Sequence, residues 1–470
     1  MGNANDKNQL PEPAGSEGSA QDAIQVILQK VILAHQQALS LLQQTEMAYG
    51  RLIPRQLLTL LEKDSIVDVK LGDQVERKLT IMFSDIRNFT PLSESMTPGE
   101  NFEFINSYLS QMEPVISKHR GIIDKYMGDA IMALFPHGAD DALSGAIAML
   151  EKLNLYNAGR NRAGYVPTQI GIGLNTGIVM IGTVGGTNRM DSTVIGDPVN
   201  LTSRIEEATK TYHVPLLISQ NTLYDLTDPA KYHIRFLDRI RVKGKTQPLS
   251  VYEVFDNDPA DLRSGKITSK PKFEEAIAYY HLKEIPRSIE LLNQCIKIAP
   301  KDIPAHIYLA RCEDYLTTGQ HLSTGELDNA LEWRAEFHIG IENIDKSHKQ
   351  LFDKINTFTL AEKIESNNAF HEIFAYLANH AQVSLKTEEN LMHRYSYSFL
   401  DGHLQEHKRF IENFMALKKE AEANTCDPLY LSFRTKLLLF DWLTGHVAKA
   451  DRHMGRYLVH AIQPPASHSA

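Results

Sequence analysis

The chain has 470 residues, 43% of them hydrophobic and 23% charged, with 49 Lys and Arg against 58 Asp and Glu for a net charge of -9. That length exceeds one ordinary core and predicts two to four soluble domains, while the acidic balance argues against nucleic acid as a partner. No run of about 18 apolar residues offers a membrane span, no signal-peptide pattern is present, and Cys295, Cys312 and Cys426, odd in number and widely spaced, fit free thiols in a reducing cytoplasm.

Residues 1–20, rich in Gly, Asn, Ser, Glu and Pro, cannot offset their ordering entropy by burial and are expected as a disordered tail. Residues 21–74 read as a helical dimerisation and transducer segment. Within it Ile24, Leu28, Val31, Ala38, Leu42 and Tyr49 recur on steps of three and four, with His35 and Thr45 interrupting the same seam. Two uses stay open: a parallel two-helix seam, or an amphipathic helix packed on its own domain. Residues 75–255 alternate strand-like runs (Leu79–Ser84, Ile122–Tyr126, Ile131–Phe135, Gln169–Leu174) with helical stretches (Pro98–Lys118, Asp140–Asn157), an α+β pattern.

Residues 256–330 start as a polar linker and continue as helices carrying Phe273, Ala276, Tyr279, Ile289, Leu292 and Tyr308. They resemble one or two tetratricopeptide-type hairpins, too few for a solenoid, and are read as a short helical spacer. Residues 331–460 return to helical periodicity in four segments with unusual histidine placement, which predicts an all-α four-helix bundle carrying metal ligands; 461–470 are expected as a tail.

Two stretches carry the chemistry of the middle domain. Leu79-Thr-Ile-Met-Phe-Ser-Asp85-Ile-Arg-Asn-Phe-Thr90 ends a strand on an aspartate and enters a helix, beside backbone N–H groups able to hold phosphate. Ile123-Asp-Lys125-Tyr-Met-Gly128-Asp129-Ala-Ile-Met-Ala-Leu-Phe135 reads as a β-hairpin with Gly128 and Asp129 in its turn. Alone, Asp85 reads as a helix cap and Asp129 as a turn residue. If the hairpin lies beside the first strand, the carboxylates converge into a hard-oxygen site suited to Mg or Mn with nucleotide phosphates.

These residues resemble the class III adenylate and guanylate cyclase family. The likeness extends upstream through Arg51-Leu-Ile-Pro-Arg-Gln-Leu and Leu71-Gly-Asp-Gln, and downstream through Asp191-Ser-Thr193-Val-Ile-Gly196-Asp-Pro-Val-Asn200-Leu-Thr-Ser-Arg204-Ile-Glu and Val242-Lys243-Gly-Lys. The resemblance implies a ferredoxin-like catalytic domain active as a homodimer, with two Mg or Mn ions per site held at Asp85, Ile86 and Asp129. It further implies that Asn200 orients the ribose, Arg204 stabilises charge on the α-phosphoryl group and Lys243 grips the terminal phosphates, these last three coming from the partner subunit. Lys125 and Thr193 match the family's purine-selecting pair. Lysine can donate to the unprotonated ring nitrogen of adenine, threonine can accept from its 6-amino group, and guanine offers the opposite pattern. The expected reaction is ATP to 3',5'-cyclic AMP and pyrophosphate. The alternatives are a guanylate cyclase, or a catalytically silent metal-binding and dimerisation scaffold.

More than half of the 19 histidines lie beyond Trp333. His403 and His407, at i and i+4, share a helical face. The run Trp333, Gly340-Ile-Glu-Asn-Ile-Asp345-Lys-Ser-His348-Lys, Glu388-Glu-Asn-Leu-Met392, His403-Leu-Gln-Glu-His407, Trp442-Leu-Thr-Gly-His446 and Asp451 resembles hemerythrin and bacteriohemerythrin domains. The resemblance implies non-haem iron bridged by Glu388 and Asp451. One iron would take His403, His407 and His446, and the other His348 and a histidine four residues before Glu388. Ser384 stands at that last place, and a serine hydroxyl is a poor iron ligand. In a regular α-helix His380 lies about 6 Å further along the axis, too far to substitute, so water would fill the place. A two-metal site, a single or weak site and a metal-free bundle all remain open. The order of the domains implies that the bundle regulates the cyclase by sensing oxygen, another small redox ligand or iron.

Overall fold

The computed structural model describes residues 16–50, 55–186, 189–240, 248–320, 333–360, 367–423 and 426–462. The chain divides into two compact units, 1–66 and 67–470. The first contains α1 (Ser16–Gly50) and α2 (Arg55–Leu60). The seam residues Ile24, Leu28, Val31 and Leu42 of α1 are each about 60% exposed among the described residues.

The second unit begins with β1 (Gln74–Ile86), α3 (Phe89–Glu94), α4 (Pro98–Lys118), the hairpin β2 (Ile122–Met127) and β3 (Ala130–Phe135), and α5 (Ala139–Arg162). There follow β4 (Ile170–Gly186), β5 (Arg189–Ile195), α6 (Asp197–Tyr212), β6 (Leu216–Ser219), α7 (Gln220–Asp225), β7 (Ile234–Ile240) and β8 (Leu249–Val254). The strands form one mixed sheet in the order β2-β3-β1-β4-β6-β8-β7, with β5 paired to the outer part of β4. The predicted strands and helices of this region are all present, but β1 begins at Gln74 and not Leu79, α5 continues past Asn157 to Arg162, and β4 starts at Ile170 and runs well past Leu174 to Gly186.

Local chemistry explains how both faces of the sheet are covered. α4 starts at a capping box, Thr97 accepting from the Glu100 N–H while the Glu100 carboxylate accepts from the Thr97 N–H, with Pro98 at the first turn. Its Phe104, Tyr108, Met112 and Ile116 fall four apart and are buried, sharing a core with Leu143, Ala146 and Met149 of α5 and with Ile170, Ile172 and Leu174 of β4. The intervening positions of β4 point the other way and are Gly171 and Gly173. A Cβ on Gly173 would lie 2.4 Å from the Glu206 nitrogen, so the glycine lets α6 rest directly on the strand.

The spacer is three helices, α8 (Ala260–His281), α9 (Ile285–Ile298) and α10 (Ile303–Thr318). A buried ionic cluster ties it to the sheet: Arg235 of β7 holds Asp302 at 2.7 Å and Glu253 of β8 at 2.6 Å, and Lys266 of α8 meets Glu253 at 2.6 Å. The C-terminal part contains α11 (Glu342–Leu360), α12 (Asn367–His380), α13 (Lys386–Arg394), α14 (Leu400–Ala423), α15 (Pro428–Asp441) and α16 (Arg452–Ile462). α12 joins α13 through a π-helical turn, Ala381–Leu385, and α15 joins α16 through a longer one, Trp442–Asp451, so the six pieces make four long helices. The regular helix expected between His380 and Glu388 is thus corrected: the turn is widened by i to i+5 hydrogen bonding.

One apolar core runs without interruption from Leu201, Leu217 and Phe236 of the sheet domain through Phe273 and Tyr308 of the spacer to Phe410, Phe433 and Trp442 of the bundle. The rings of Phe236 and Phe433 meet edge to face at 6.0 Å. The three parts therefore share buried surface instead of hanging on linkers.

Candidate active site and candidate metal centre

Asp85 is the penultimate residue of β1, opposite Gly171 of β4. Gly128, at φ +68°, makes the tight turn between β2 and β3. Continuing the β1–β3 register past Ser84 and Ile131 sets Asp129 across from Ile86, where its carboxylate accepts from the Ile86 backbone. The two carboxyls therefore meet at one end of adjacent strands. Burial and then the negative charge of Asp85 push the Asp129 carboxyl up to about 6. Such a pair has an excess of negative charge that a divalent cation would relieve. Ile86 has an apolar, buried side chain and could contribute only its backbone carbonyl.

Lys210, near the end of α6, reaches this pair with its Nζ 2.7 Å from Asp85 Oδ2. Glu206, one turn earlier, is pushed up to about 7 by burial, with Asp85 adding to the shift and Lys210 opposing it. Lys210 carried no signal in the sequence, because its position depends on the close seating of α6 against Gly171 and Gly173. Asn200 and Arg204 project from the exposed face of the same helix, and the Arg204 guanidinium is paired with Glu207 at 2.8 Å. Ten residues of helix, about 15 Å, separate Asn200 from Lys210. The structure therefore does not bring Asn200 to Asp85 of its own chain. Lys125 lies on β2 with its ammonium 3.2 Å from Asp124 and its side chain 40% exposed; Thr193 lies on β5 opposite Gly182. Lys243 falls outside the described residues.

The bundle encloses the second site. Ligand atoms from Glu388, His403, His407, His446 and Asp451 all lie within 4.8 Å of one another, and all five residues are buried. Asp451 Oδ1 is 3.1 Å from His403 Nε2 and 3.0 Å from His446 Nε2, and Glu388 Oε2 is 3.4 Å from His407 Nε2. On the other side, His348 Nε2 is 3.4 Å from Glu388 Oε1 and 3.3 Å from Asp451 Oδ2. The two carboxylates bridge between a three-histidine side and a one-histidine side. All four carboxylate oxygens and the Nε2 atoms of His403, His407 and His446 are buried without a hydrogen-bond partner. Buried polar atoms left in this state are costly unless a cation fills the space between them. The residues present fit a metal centre.

The expected ligands His348, Glu388, His403, His407, His446 and Asp451 thus come together. The Ser384 hydroxyl is hydrogen-bonded with Ser347. The π-helical segment Trp442–Asp451 explains how His446 and Asp451, five apart, reach one face. Trp442 stacks flat on His446 at 3.8 Å and on Phe410 at 4.2 Å, holding the imidazole plane. Burial alone would lower the pKa of His348 and of His446; the two carboxylates reverse this for His348, raising it to about 10, and Asp451 with Glu406 raises His446 to about 9.

Outside the ligands, His407 Nδ1 faces Glu389 at 3.3 Å and His446 Nδ1 faces Glu406 at 2.8 Å. Glu406 continues the chain of contacts: its Oε1 is 3.0 Å from Nζ of Lys78 on β1, which also holds Asp225 of α7 at 3.0 Å. Gly402 makes room for the Lys78 stem, since a Cβ there would lie 3.0 Å from Nζ. One histidine of the metal centre is therefore two polar contacts away from the strand that carries Asp85. Other bonds support the junction. Arg409 donates to the Leu226 and Thr227 carbonyls, Gln220 to the Asp441 carbonyl, and His453 meets Glu76 at 2.7 Å. Sequence reasoning missed Lys78 and Glu406 because they are 328 positions apart.

The family model of the adenylate and guanylate cyclase catalytic domain matches residues 72–254, and that of the hemerythrin HHE cation binding domain matches residues 339–458. An adenylate cyclase of Anabaena cylindrica is 42% identical over 219 residues, 45% of this chain and 44% of that protein. A terminal-differentiation specific adenylate cyclase of Dictyostelium discoideum is 36% identical over 287 residues, 60% of this chain and 13% of that protein. The chain therefore spans less than half the length of either relative. A solved adenylyl cyclase from P. aeruginosa is 34% identical, with 40% of this chain and 98% of that chain covered and a TM-score of 0.36. Among the described residues no helix is long and apolar enough to cross a membrane.

Proposed function

Since residues 72–254 of the chain belong to the class III adenylate and guanylate cyclase family and residues 339–458 to the hemerythrin family, we propose that the protein converts ATP to 3',5'-cyclic AMP and pyrophosphate under control of its C-terminal bundle. The observation that carries the reading is the meeting of Asp85 and Asp129 at one end of β1 and β3, with a proton affinity at Asp129 raised first by burial and then by the negative charge of Asp85. Asp85, Asp129 and the backbone carbonyl of Ile86 would hold two Mg or Mn ions. Bound there, these ions would supply Lewis-acid polarisation of the ribose 3'-hydroxyl and of the phosphates.

Every remaining step belongs to side chains. The position of Asn200 and Arg204 on the outer face of α6, about 15 Å along the helix from Lys210, favours a site completed by a second copy. In that homodimer Asn200 orients the ribose, Arg204 leaves Glu207 to stabilise charge growing on the α-phosphoryl oxygens, and Lys243 binds the terminal phosphates. Lys125 and Thr193 select adenine by donating to its ring nitrogen and accepting from its amino group. The exposed seam of α1 serves dimerisation. The domain limits read from the sequence, 21–74, 75–255, 256–330 and 331–460, are part of this proposal.

The bundle acts as the sensor. His348, Glu388, His403, His407, His446 and Asp451 would hold non-haem iron, which would supply redox chemistry and the capacity to respond to a small ligand such as oxygen. The shared core and the His446–Glu406–Lys78 contacts support transmission to β1. Full-length protein given ATP and Mn or Mg should form cyclic AMP and pyrophosphate in equal amounts, and Asp85→Ala should abolish both. Undiminished product from Asp85→Ala would end the role given to Asp85, and no product from the unaltered protein would leave a dimerising scaffold.

A further inference from the structure

The second side of the metal centre is short of nitrogen. Glu388 Oε2 and Asp451 Oδ1 face three histidines, whereas Glu388 Oε1 and Asp451 Oδ2 face His348. Ser384 has turned its hydroxyl to Ser347. Ser384 lies within the π-turn Ala381–Leu385, where the helix widens directly after His380.

That turn changes which residue shares a face with Glu388. Eight residues of α-helix rotate by about 800°, leaving His380 about 80° away from Glu388. A π-turn advances about 80° per residue instead of about 100°, so five such residues take away about 100° and bring His380 to within about 20° of Glu388. His380 is accordingly 3% exposed, unlike Val383, which at 58% faces solvent. Its Nδ1 lies 3.5 Å from Ser347 Oγ, while its Nε2 is buried with no hydrogen-bond partner. A cavity of about 330 Å³ is lined by His380, Ser347, Ser384 and Glu388 together. A histidine held only by its stacking on Tyr376, with ring centroids 6.3 Å apart, would have no reason to leave that nitrogen unpaired in a widened turn.

We propose that His380, delivered by the π-turn, is the second nitrogen ligand of the metal position bounded by His348, Glu388 Oε1 and Asp451 Oδ2, in place of residue 384. The proposal rests on the reading of the bundle as a metal centre. Nε2 is the coordinating atom, and Ser347 orients the ring through Nδ1, as an outer hydrogen bond does for other metal-binding histidines. The extra helical residue is then a structural device that compensates for the serine.

The test is iron content per full-length chain, loaded with ferrous iron without oxygen and desalted. Wild type should hold two irons and His380→Ala one, the remaining iron on the three-histidine side reporting that the bundle is folded. Adding Ser384→His to His380→Ala should return the count to two. Two irons in His380→Ala, or one in wild type, overturns the assignment of His380 while leaving a metal centre. No iron in wild type overturns the metal reading itself, and this proposal with it.

Discussion

Replacing Lys78 by methionine tests the junction between the bundle and the catalytic sheet. Methionine keeps most of the stem volume and removes the charge that bridges Glu406 and Asp225 at 3.0 Å each. The three side chains are 18%, 21% and 14% exposed. Breaking a fully buried pair costs about 3–5 kcal/mol and an exposed one about 0.2–1 kcal/mol. With roughly a fifth of each group wet, the loss is about 2 kcal/mol, or about a 30-fold shift in the docked-to-undocked balance. Glu406 is then left with His446, and the bundle's hold on α7 weakens. Amide exchange of α7 and of residues 403–410 should quicken by about that factor, and cyclic AMP formation should lose its dependence on iron loading. Exchange identical to wild type at both places would refute the junction's role.

Other outcomes follow from the same geometry. Asp129→Asn should abolish activity yet raise the melting temperature at pH 7.5. The native carboxyl, raised to about 6, is costly to ionise above that pH, and the gain should vanish below about pH 4, where both states are protonated. Without metal, the raised His348 and His446 contribute stability that is complete below about pH 6.5 and lost as pH rises through 9 to 10, so melting of metal-free protein should fall across that window. Iron loading at pH 7.5 should release about two protons per chain, measurable in weak buffer. Mixing inactive Asp85→Ala with inactive Arg204→Ala should restore part of the activity if sites form between subunits; absence of rescue would argue against the shared site.

Much of the catalytic half was legible because its signals are local. The apolar run ending in Asp85 and the Gly128-Asp129 turn each specify one conformation within a few residues. β5 was not predicted, since Arg189-Met-Asp-Ser-Thr lacks apolar alternation and is largely exposed, its pairing supplied by β4. Spacing placed His403 and His407 on one face and the resemblance to hemerythrins implied the other ligand histidines, but the π-turns were not legible, because α and π turns draw on the same residues and differ by one hydrogen-bond step. Lys210, Lys78 and Glu406 owe their roles to packing between distant segments. The shared core also bears on domain deletion: cutting after residue 330 would bare Phe236 and its neighbours, so substitutions such as His403→Ala are the cleaner probe of regulation.

The most direct measurement gives purified full-length protein ATP and GTP at equal concentration with Mn and quantifies both cyclic products. The account predicts cyclic AMP in clear excess, with Lys125→Glu reducing that preference. Faster formation of cyclic GMP would contradict the roles assigned to Lys125 and Thr193, and no cyclic product from either nucleotide would contradict catalysis by this chain.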